Sequence, residues 1–146
     1  MTLCLRCDLD PEFPLEFIVL GTPVSAQRSN PKARQQWKDL VGQSCATSLP
    51  QMHFATGQPL SVTLYYYPDG KMVGDVDNIA KLTLDAMSKL IYLDDEQVER
   101  LVVQKFEGER IFPFTDPSET LAACLVGQRP ALYIRVSDDP HEDLRQ

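Results

Sequence analysis

Eight consecutive residues, Leu60 to Tyr67, commit the middle of the chain to a β-strand. Residues that favour strands dominate this segment, and Val62, Leu64 and Tyr66 share one side because side chains alternate along a strand. A strand with an apolar side needs a packed layer to cover it. The rest of the chain must therefore supply partner strands and the helices that cover the sheet.

The segments on either side of this strand alternate between helix and strand patterns. The predicted strands are Leu15 to Leu20, Leu60 to Tyr67, Gln97 to Phe106 and Ala131 to Val136. The predicted helices are Pro31 to about Leu49, Ile79 to about Lys89, and a short candidate from Ser118 to Leu125. This order fits an α+β or α/β domain of two layers. We predict the α+β form, a single domain in which a small mixed sheet packs against the two main helices.

Each main helix has one apolar face that should cover the sheet. These residues are Trp37, Leu40, Val41 and Cys45 in the first helix, and Ile79, Leu82, Ala86 and Leu90 in the second. We place the domain at residues 14–136, with a loose lead over residues 1–13 and an acidic, disordered tail over residues 137–146. A chain of 146 residues, 43% apolar and 24% charged, is long enough for one core and short for two.

The sequence shows neither a membrane span nor a secretory signal, so we expect a cytoplasmic protein. The longest uncharged stretch, Leu40 to Pro68, is broken by polar residues and prolines, and the N-terminus lacks a basic region before an apolar one. The cysteines are Cys4, Cys7, Cys45 and Cys124. Cys4 and Cys7 have the spacing of a zinc knuckle but no second pair, which favours reduced thiols over a zinc site.

Charge bears on whether the chain binds nucleic acid. A net charge of −7 opposes that function, because the affinity depends on cations that meet phosphates. The charge is unevenly distributed, since residues 137–146 hold four acids and one arginine while residues 17–38 hold no acid. The basic residues of that acid-free stretch are Arg28, Lys32, Arg34 and Lys38. We take these four as candidate nucleic-acid-binding residues.

The segment from Asp75 to Lys81 combines two carboxylates with a lysine one helical step beyond Asp77. If its first part is extended, Asp75 and Asp77 point to the same side. Asn78 or Asp77 can then cap the helix that begins near Ile79. Carboxylate oxygens, a helix N-terminus and an ammonium group together suit a divalent cation that holds a phosphate. Taken singly, an aspartate in the position of Asp77 is more often a helix cap than a metal ligand. A lysine in the position of Lys81 is ordinarily a surface residue.

Another acidic pair, Asp94 and Asp95, follows the second helix. A helix from Asn78 to Lys89 spans roughly 17 Å. An extended return to Asp95 recovers about 20 Å, which brings Asp95 beside the first pair. The alternative is that a second subunit supplies one of the carboxylates. In either case Leu90, Ile91 and Leu93 are expected in the core, with Tyr92 less certain.

Other sites built on paired acids fit less well. An EF-hand would need glycine at Ala80 and glutamate at Ala86. A restriction-type nuclease core would need an acid two residues before Lys105. Hydrolase triads lack a credible histidine, and the chain has no glycine-rich phosphate loop. Asp85 remains a candidate partner for Lys81 or Lys89, because it continues the i,i+4 spacing.

The central block resembles the RusA family of Holliday junction resolvases. The residues that carry the resemblance are Asp75-x-Asp77-Asn78-x-x-Lys81-x-x-x-Asp85-Ala86 and Leu93-Asp94-Asp95-x-Gln97-Val98. The strand Phe17 to Leu20, with Gly21-Thr-Pro and Arg28 after it, is similar to that family's opening strand and loop. The resemblance spans roughly Phe17 to Val136.

This resemblance implies a small α+β nuclease that acts as a homodimer on four-way DNA junctions with Mg²⁺, for which Mn²⁺ is a possible substitute. The family's catalytic carboxylates fall on Asp75, Asp77 and Asp95, which would also bind the metal, and its catalytic lysine falls on Lys81. The chain departs from the family in the stretch before Asp75, where Asp69-Gly-Lys-Met-Val-Gly74 has only one basic residue. Three interpretations stay open: a junction-resolving endonuclease, a nuclease for other branched nucleic acids, and a non-catalytic DNA- or partner-binding protein.

Overall fold

A computed structural model describes residues 11–27, 29–50, 53–108 and 112–145. Its strands are β1 (Leu15–Leu20), β2 (Leu60–Tyr67), β3 (Val98–Lys105) and β4 (Ala131–Ser137). Its α-helices are α1 (Pro31–Ser48), α2 (Ala80–Met87) and α3 (Glu119–Val126). Short 3₁₀ helices cover Val76–Ile79, Asp95–Gln97 and Glu142–Leu144. The predicted element order is confirmed.

The four strands form one mixed sheet in the order β1-β4-β2-β3. β4 lies antiparallel to both β1 and β2, whereas β2 and β3 run parallel. Parallel neighbours need a crossover connection, and the segment that contains α2 provides it between β2 and β3. The predicted α+β class, with a mixed sheet and two main helices, is confirmed.

α1 and α2 cover one face of the sheet and enclose the main core. Asn30 begins α1, since its side chain accepts a hydrogen bond from the Ala33 amide at 2.8 Å and Pro31 follows at the first helical position. Trp37 is 2% exposed and Val41 and Cys45 are fully buried. Leu40 was expected beside them but is 41% exposed, because it lies at the edge of the apolar stripe.

A buried hydrogen-bond chain fixes α2 against α1. Trp37 donates its indole N–H to the Thr83 hydroxyl at 3.1 Å, and that hydroxyl donates to the Ile79 carbonyl at 2.7 Å. Thr83 and Ile79 are fully buried. Buried polar groups need partners, so this chain defines how α2 is rotated against α1. Of the predicted α2 stripe, Ile79 and Leu82 are buried, and Ala86 and Leu90 pack at the margin of the core.

The opposite face of the sheet is partly covered by α3. Ser118 begins this helix by accepting a hydrogen bond from the Leu121 amide, and Leu121 and Cys124 pack on Tyr67, Ala131 and Tyr133. Aromatic rings extend the same layer: Phe106 lies 4.9 Å from Tyr67 and 5.4 Å from Tyr65, measured between ring centroids.

Both ends of the domain extend beyond the predicted limits. Phe13, placed in the loose lead, packs against the main core. Residues 138–145, predicted as a disordered tail, fold back on the sheet, where Glu142 pairs with Arg135 and Asp143 with Arg100. The composition of the tail favoured disorder, but the ion pairs to strand arginines depend on the fold. Within the described ranges, no helix is long and apolar enough to cross a membrane.

Candidate active site

Asp75 and Asp77 lie on a turn between β2 and α2. Gly74 enters this turn with a φ of +91°, a conformation that L side chains rarely adopt, and an added Cβ would stand 3.1 Å from the Asn78 side-chain nitrogen. Asp75 is extended, with φ −99° and ψ 158°, and Asp77 lies inside the 3₁₀ helix that follows. The extended conformation considered for both residues is therefore wrong for Asp77.

Neither predicted cap occurs at this helix entry. Asp75 takes the cap position of the 3₁₀ helix but makes no side-chain capping hydrogen bond, and α2 continues directly from Ile79. The 3₁₀ turn satisfies the helix entry through backbone bonds, such as the one from the Asn78 amide to the Asp75 carbonyl at 3.0 Å. Both carboxylates are exposed, so capping does not occupy them.

Lys81 connects the two acidic segments. Its ammonium group lies 3.1 Å from Asp85 Oδ1 and 3.5 Å from Asp95 Oδ2. The hydrogen bond and the charge of Asp85, and then the charge of Asp95, raise the pKa of Lys81 above its ordinary value. Lys81 is therefore a fixed positive charge at neutral pH. The predicted pairing of Asp85 with Lys81 is confirmed.

The chain returns to Lys81 through a tight turn and not through the extended segment that we expected. α2 ends at Met87, Lys89 takes a φ of +74°, and its amide donates to the Tyr92 carbonyl at 2.6 Å. Tyr92 is fully buried and donates its hydroxyl to the Leu84 carbonyl at 2.6 Å. Leu93, expected in the core, is 52% exposed, because the turn places Tyr92 there in its stead.

Gln97 fixes the position of the second acidic segment. Its Oε1 accepts the Leu93 amide at 2.9 Å and the Asp94 amide at 3.0 Å, while its Nε2 donates to the carbonyls of Thr56 and Gln58, each at 2.9 Å. The side-chain amide of Gln97 thus makes all four of its hydrogen bonds to backbone groups, two in the turn and two in the connection before β2. This attaches the turn that carries Asp95 to the connection before β2.

Asp94 has a structural role in the same turn. Its side chain caps the 3₁₀ helix Asp95–Gln97 by accepting the Glu96 amide at 3.0 Å, and Gln97 completes a capping box. That backbone hydrogen bond, with a smaller contribution from Asp95, holds the pKa of Asp94 below its ordinary value. Asp95 is consequently the member of the pair that is directed toward α2.

Not all of the predicted metal ligands are brought together. Asp95 reaches Lys81 within one subunit, whereas its approach to Asp75 and Asp77, within a subunit or from a second one, stays a prediction. In the described part of the chain, however, no three His, Cys, Asp or Glu side chains are grouped closely enough to hold a metal ion. Asp75, Asp77 and Asp95 are hard oxygen donors of the kind Mg²⁺ prefers, but they are not preassembled.

Of the four basic residues proposed to bind nucleic acid, those that the structure describes are only partly available for contacts with a ligand. Arg34 donates to the Ser29 carbonyl at 2.5 Å and to the Ala26 carbonyl at 3.4 Å, so it holds the loop before α1. Lys32 is exposed and Lys38 is half-buried. Arg28 lies outside the described residues, as do Cys4 and Cys7. A nucleic-acid role for the four basic residues stays a prediction.

Three positioning residues were not predicted as such: Gly74, Thr83 and Gln97. Gly74 and Gln97 stood beside the acids in the sequence, and Gln97 belonged to the block that resembles the RusA family. Thr83 gave no sequence signal, because a threonine within an amphipathic helix is ordinary and its partner Trp37 is 46 residues away.

Comparison with protein families gives a match to one model, described as Endodeoxyribonuclease RusA, over residues 21–112. The matched stretch is well over half of the 146 residues and contains Asp75, Asp77, Lys81 and Asp95. Comparison with curated proteins gives no match.

Proposed function

Because the chain belongs to the RusA family of endodeoxyribonucleases, we propose that it is a divalent-metal-dependent endonuclease that cuts branched DNA, and four-way junctions in particular. The observation that carries the proposal is the position of Lys81. Its ammonium group contacts both Asp85 and Asp95, so acids from separate segments of the chain meet at one edge of α2. Nothing in packing the core requires that arrangement, since these side chains are exposed or half-exposed.

In this proposal Asp75, Asp77 and Asp95 hold Mg²⁺, with Mn²⁺ able to replace it. The bound ion would lower the pKa of a ligand water and neutralise charge on the phosphate. Lys81 supplies fixed positive charge to the phosphoryl oxygens as negative charge develops there. Asp85 also pairs with this ammonium group, which restrains Lys81 at the edge of α2.

The carboxylates suit the metal by their chemistry, but their assembly requires side-chain rotation. Asp75 and Asp77 are exposed and make no capping bond, and the Asp95 side chain is 38% exposed. Exposed side chains change rotamer readily, so the rotation is inexpensive. Asp95 must exchange its contact with Lys81 for one with the cation, and the ammonium group is then available to the phosphate.

A homodimer fits this function. A four-way junction has two-fold symmetry, and a two-fold protein can place one site on each of two symmetric strands. The candidate DNA-contacting residues remain Arg28, Lys32, Arg34 and Lys38. Of the three with described placement, Lys32 and Lys38 are the better candidates for phosphate contacts, because Arg34 is engaged by loop carbonyls.

A second candidate function is DNA or partner binding without cleavage. The specific observation in its favour is the lack of a preassembled acid cluster among the described residues, together with a net charge of −7. A third variant keeps catalysis but extends it to flaps or other branched nucleic acids.

One assay separates these functions. A labelled four-way junction, a flap and a linear duplex are incubated with the protein in Mg²⁺, and in parallel in Ca²⁺, which supports binding better than cleavage in many such sites. Symmetric nicking of the junction alone, in Mg²⁺, is the expected result. Nicking of all branched substrates favours the broader nuclease, and binding without nicking in Mg²⁺ overturns the catalytic proposal.

A further inference from the structure

The C-terminal segment, residues 138–145, forms a strap over two arginines of the sheet. Arg135 on β4 pairs through both of its terminal nitrogens with both carboxylate oxygens of Glu142, the second of these contacts measuring 3.3 Å. Arg100 on β3 lies 2.6 Å from Asp143 Oδ2. Adjacent residues of the strap therefore neutralise arginines from two different strands.

The strap is folded by its own local hydrogen bonds. Ser137 Oγ accepts the Asp139 amide, Asp139 Oδ1 accepts the His141 amide, and the Leu144 amide donates to the His141 carbonyl, at distances of 3.0 to 3.1 Å. Arg145 pairs with Asp139 and closes the segment on itself. These contacts hold Glu142 and Asp143 at the sheet without burying apolar surface, since Leu144 is 73% exposed.

The two arginines lie on the face of the sheet that carries α3, opposite to α1 and α2. Arg135 pairs in register with Thr63 of β2, and Arg100 with Ser61 of β2. Two strand spacings and a two-residue offset place their Cα atoms roughly 12 Å apart. Each arginine pairs with a different carboxylate of the strap, so in an anion-bound state each would contact a separate phosphate.

The surroundings of the two arginines limit any anion contact to their guanidinium groups. The Ser61 hydroxyl is buried and, within the described part of the chain, has no hydrogen-bond partner. Arg135 also borders an open groove of about 390 Å³, but the lining of this groove includes the carboxylates of Glu16, Asp116 and Asp143. The groove itself is acidic, so the anion-binding groups are the two guanidinium groups. The two oxygens of a carboxylate bind a guanidinium group in the same bidentate geometry as two oxygens of a phosphate.

We infer that Arg100 and Arg135 form a second DNA-backbone contact surface, which the carboxylates of Glu142 and Asp143 occupy in place of phosphates until DNA displaces the strap. This inference rests on the proposed function as a DNA-binding enzyme. The surface is distinct from the acidic edge of α2 and from the basic residues before and within α1.

The energetics favour displacement. Ion pairs that stay partly exposed contribute little net stability, and the side chains of Arg100 and Asp143 are 32% and 60% exposed. DNA gains from counterion release when arginines replace its bound cations. Glu16 tempers the contribution of Arg135, because its carboxylate accepts the hydroxyls of Tyr133 and Ser118 and lies opposite Arg135 in register. Arg100 therefore contributes the larger part.

The test uses the full chain with Glu142→Gln and Asp143→Asn, compared with a double variant outside the strap, Glu12→Gln and Asp69→Asn, that changes the net charge equally. Both neutralised residues of the second variant are exposed, and neither forms an ion pair within the part of the chain that the structure describes. Affinity for a labelled four-way junction and a linear duplex is measured by fluorescence anisotropy over a range of KCl concentrations. Circular dichroism and thermal unfolding check that each variant is folded.

The strap variant is expected to bind several-fold more tightly than the control. Its plot of log affinity against log salt should also be steeper by about one to two, since each added phosphate contact contributes about 0.9 to the slope. Adding Arg100→Gln and Arg135→Gln to the strap variant should remove the gain. Hydrogen exchange of residues 138–145 in the unmodified protein should accelerate when DNA is added.

If the two double variants gain equally in DNA affinity and have equal salt slopes, the effect is due to net charge alone and the inference is overturned. If the unmodified protein cuts junctions and strap neutralisation changes nothing, the inference fails while the proposed function stands. If neither the unmodified protein nor the strap variant binds DNA, both fail. Binding by the strap variant alone supports the masked surface.

Discussion

The ammonium group of Lys81 lies 3.5 Å from Asp95 Oδ2, across 14 residues of sequence. This contact is where the two acidic segments meet, and it defines a competition. The Asp95 carboxylate would have to bind either a metal cation or the ammonium group of Lys81. Three predictions concern this site, a fourth concerns the packing that supports it, and a fifth concerns the C-terminal strap.

Asp75→Asn should abolish cleavage while junction binding stays measurable. Asparagine keeps the shape of the side chain but removes the charge that a divalent ion needs, and loss of one such electrostatic group costs on the order of 10²–10³-fold in rate. Single-turnover cleavage and anisotropy measure the two effects separately. Asp69→Asn, which removes the charge of another exposed residue in the preceding turn, should leave cleavage near the unmodified rate. Full activity of the Asp75→Asn protein would remove the metal-binding role.

Lys81→Met should tighten metal binding and slow cleavage together. Without the ammonium group Asp95 is released to the cation, but the developing phosphoryl charge loses its partner, at a cost of about a hundredfold in rate. Mn²⁺ binding is followed by electron paramagnetic resonance. Lys89→Met is the matched control, because the Lys89 ammonium group contacts the Leu93 carbonyl at 2.8 Å and no carboxylate oxygen in the structure's ion pairs. Equal Mn²⁺ affinity in the two variants would exclude competition for Asp95.

Gln97→Ala should lower cleavage by about 10–100-fold, although Gln97 touches neither metal nor DNA in this proposal. Four amide hydrogen bonds hold the turn before Asp95, and their loss misplaces that carboxylate. The rate should recover in part at high Mg²⁺, which a purely structural loss would not do. Gln104→Ala, at an exposed residue of β3, serves as control and should change neither the cleavage rate nor its Mg²⁺ dependence. A Gln97→Ala protein with the unmodified Mg²⁺ dependence would contradict the positioning role.

Thr83→Val should destabilise the fold by about 1–3 kcal/mol, because it leaves the buried Trp37 indole N–H without an acceptor. Valine has nearly the shape of threonine, so the effect isolates the hydroxyl. Thr47→Val removes a similar hydroxyl bond, to the Gln43 carbonyl, from an exposed position of α1. Its effect should stay within about 0.5 kcal/mol. Urea denaturation measures the unfolding free energy of both variants. Equal losses would show that the buried hydrogen-bond chain contributes no more stability than the exposed bond.

Acidification should release the strap. The hydrogen bond and charge of Arg135 hold the pKa of Glu142 below its ordinary value of 4.5. A lowered pKa means that the pair stabilises the folded strap above pH 4.5, and that this contribution is lost as the pH falls through the lower, folded-state pKa. Asp139, whose pKa is lowered chiefly by Arg145, acts in the same direction. The unfolding free energy should fall less steeply below pH 4.5 in Glu142→Gln than in the unmodified protein, and identical pH profiles would refute this assignment.

Much of the fold was predictable from local patterns. The strand Leu60–Tyr67 has the predicted bounds, and α1 differs from its prediction by one residue at its end, because Asn30 and Pro31 are local start signals. α2 was predicted to run to Lys89 but ends at Met87. Its end depends on a tertiary contact, the burial of Tyr92 with its hydroxyl on the Leu84 carbonyl, and no local pattern encodes that contact.

The candidate site divides in the same way. The sequence by itself determined which residues carry charge and chemistry at the edge of α2, since carboxylates and a lysine at helical spacing can be read from the chain. Only the tertiary structure decided that Asp95, and not Asp94, faces Lys81, and that the acidic tail lies on Arg100 and Arg135. Spacing along a helix is fixed by backbone geometry, whereas a partner 14 or more residues away is chosen by how turns such as those at Lys89 and Gln97 close.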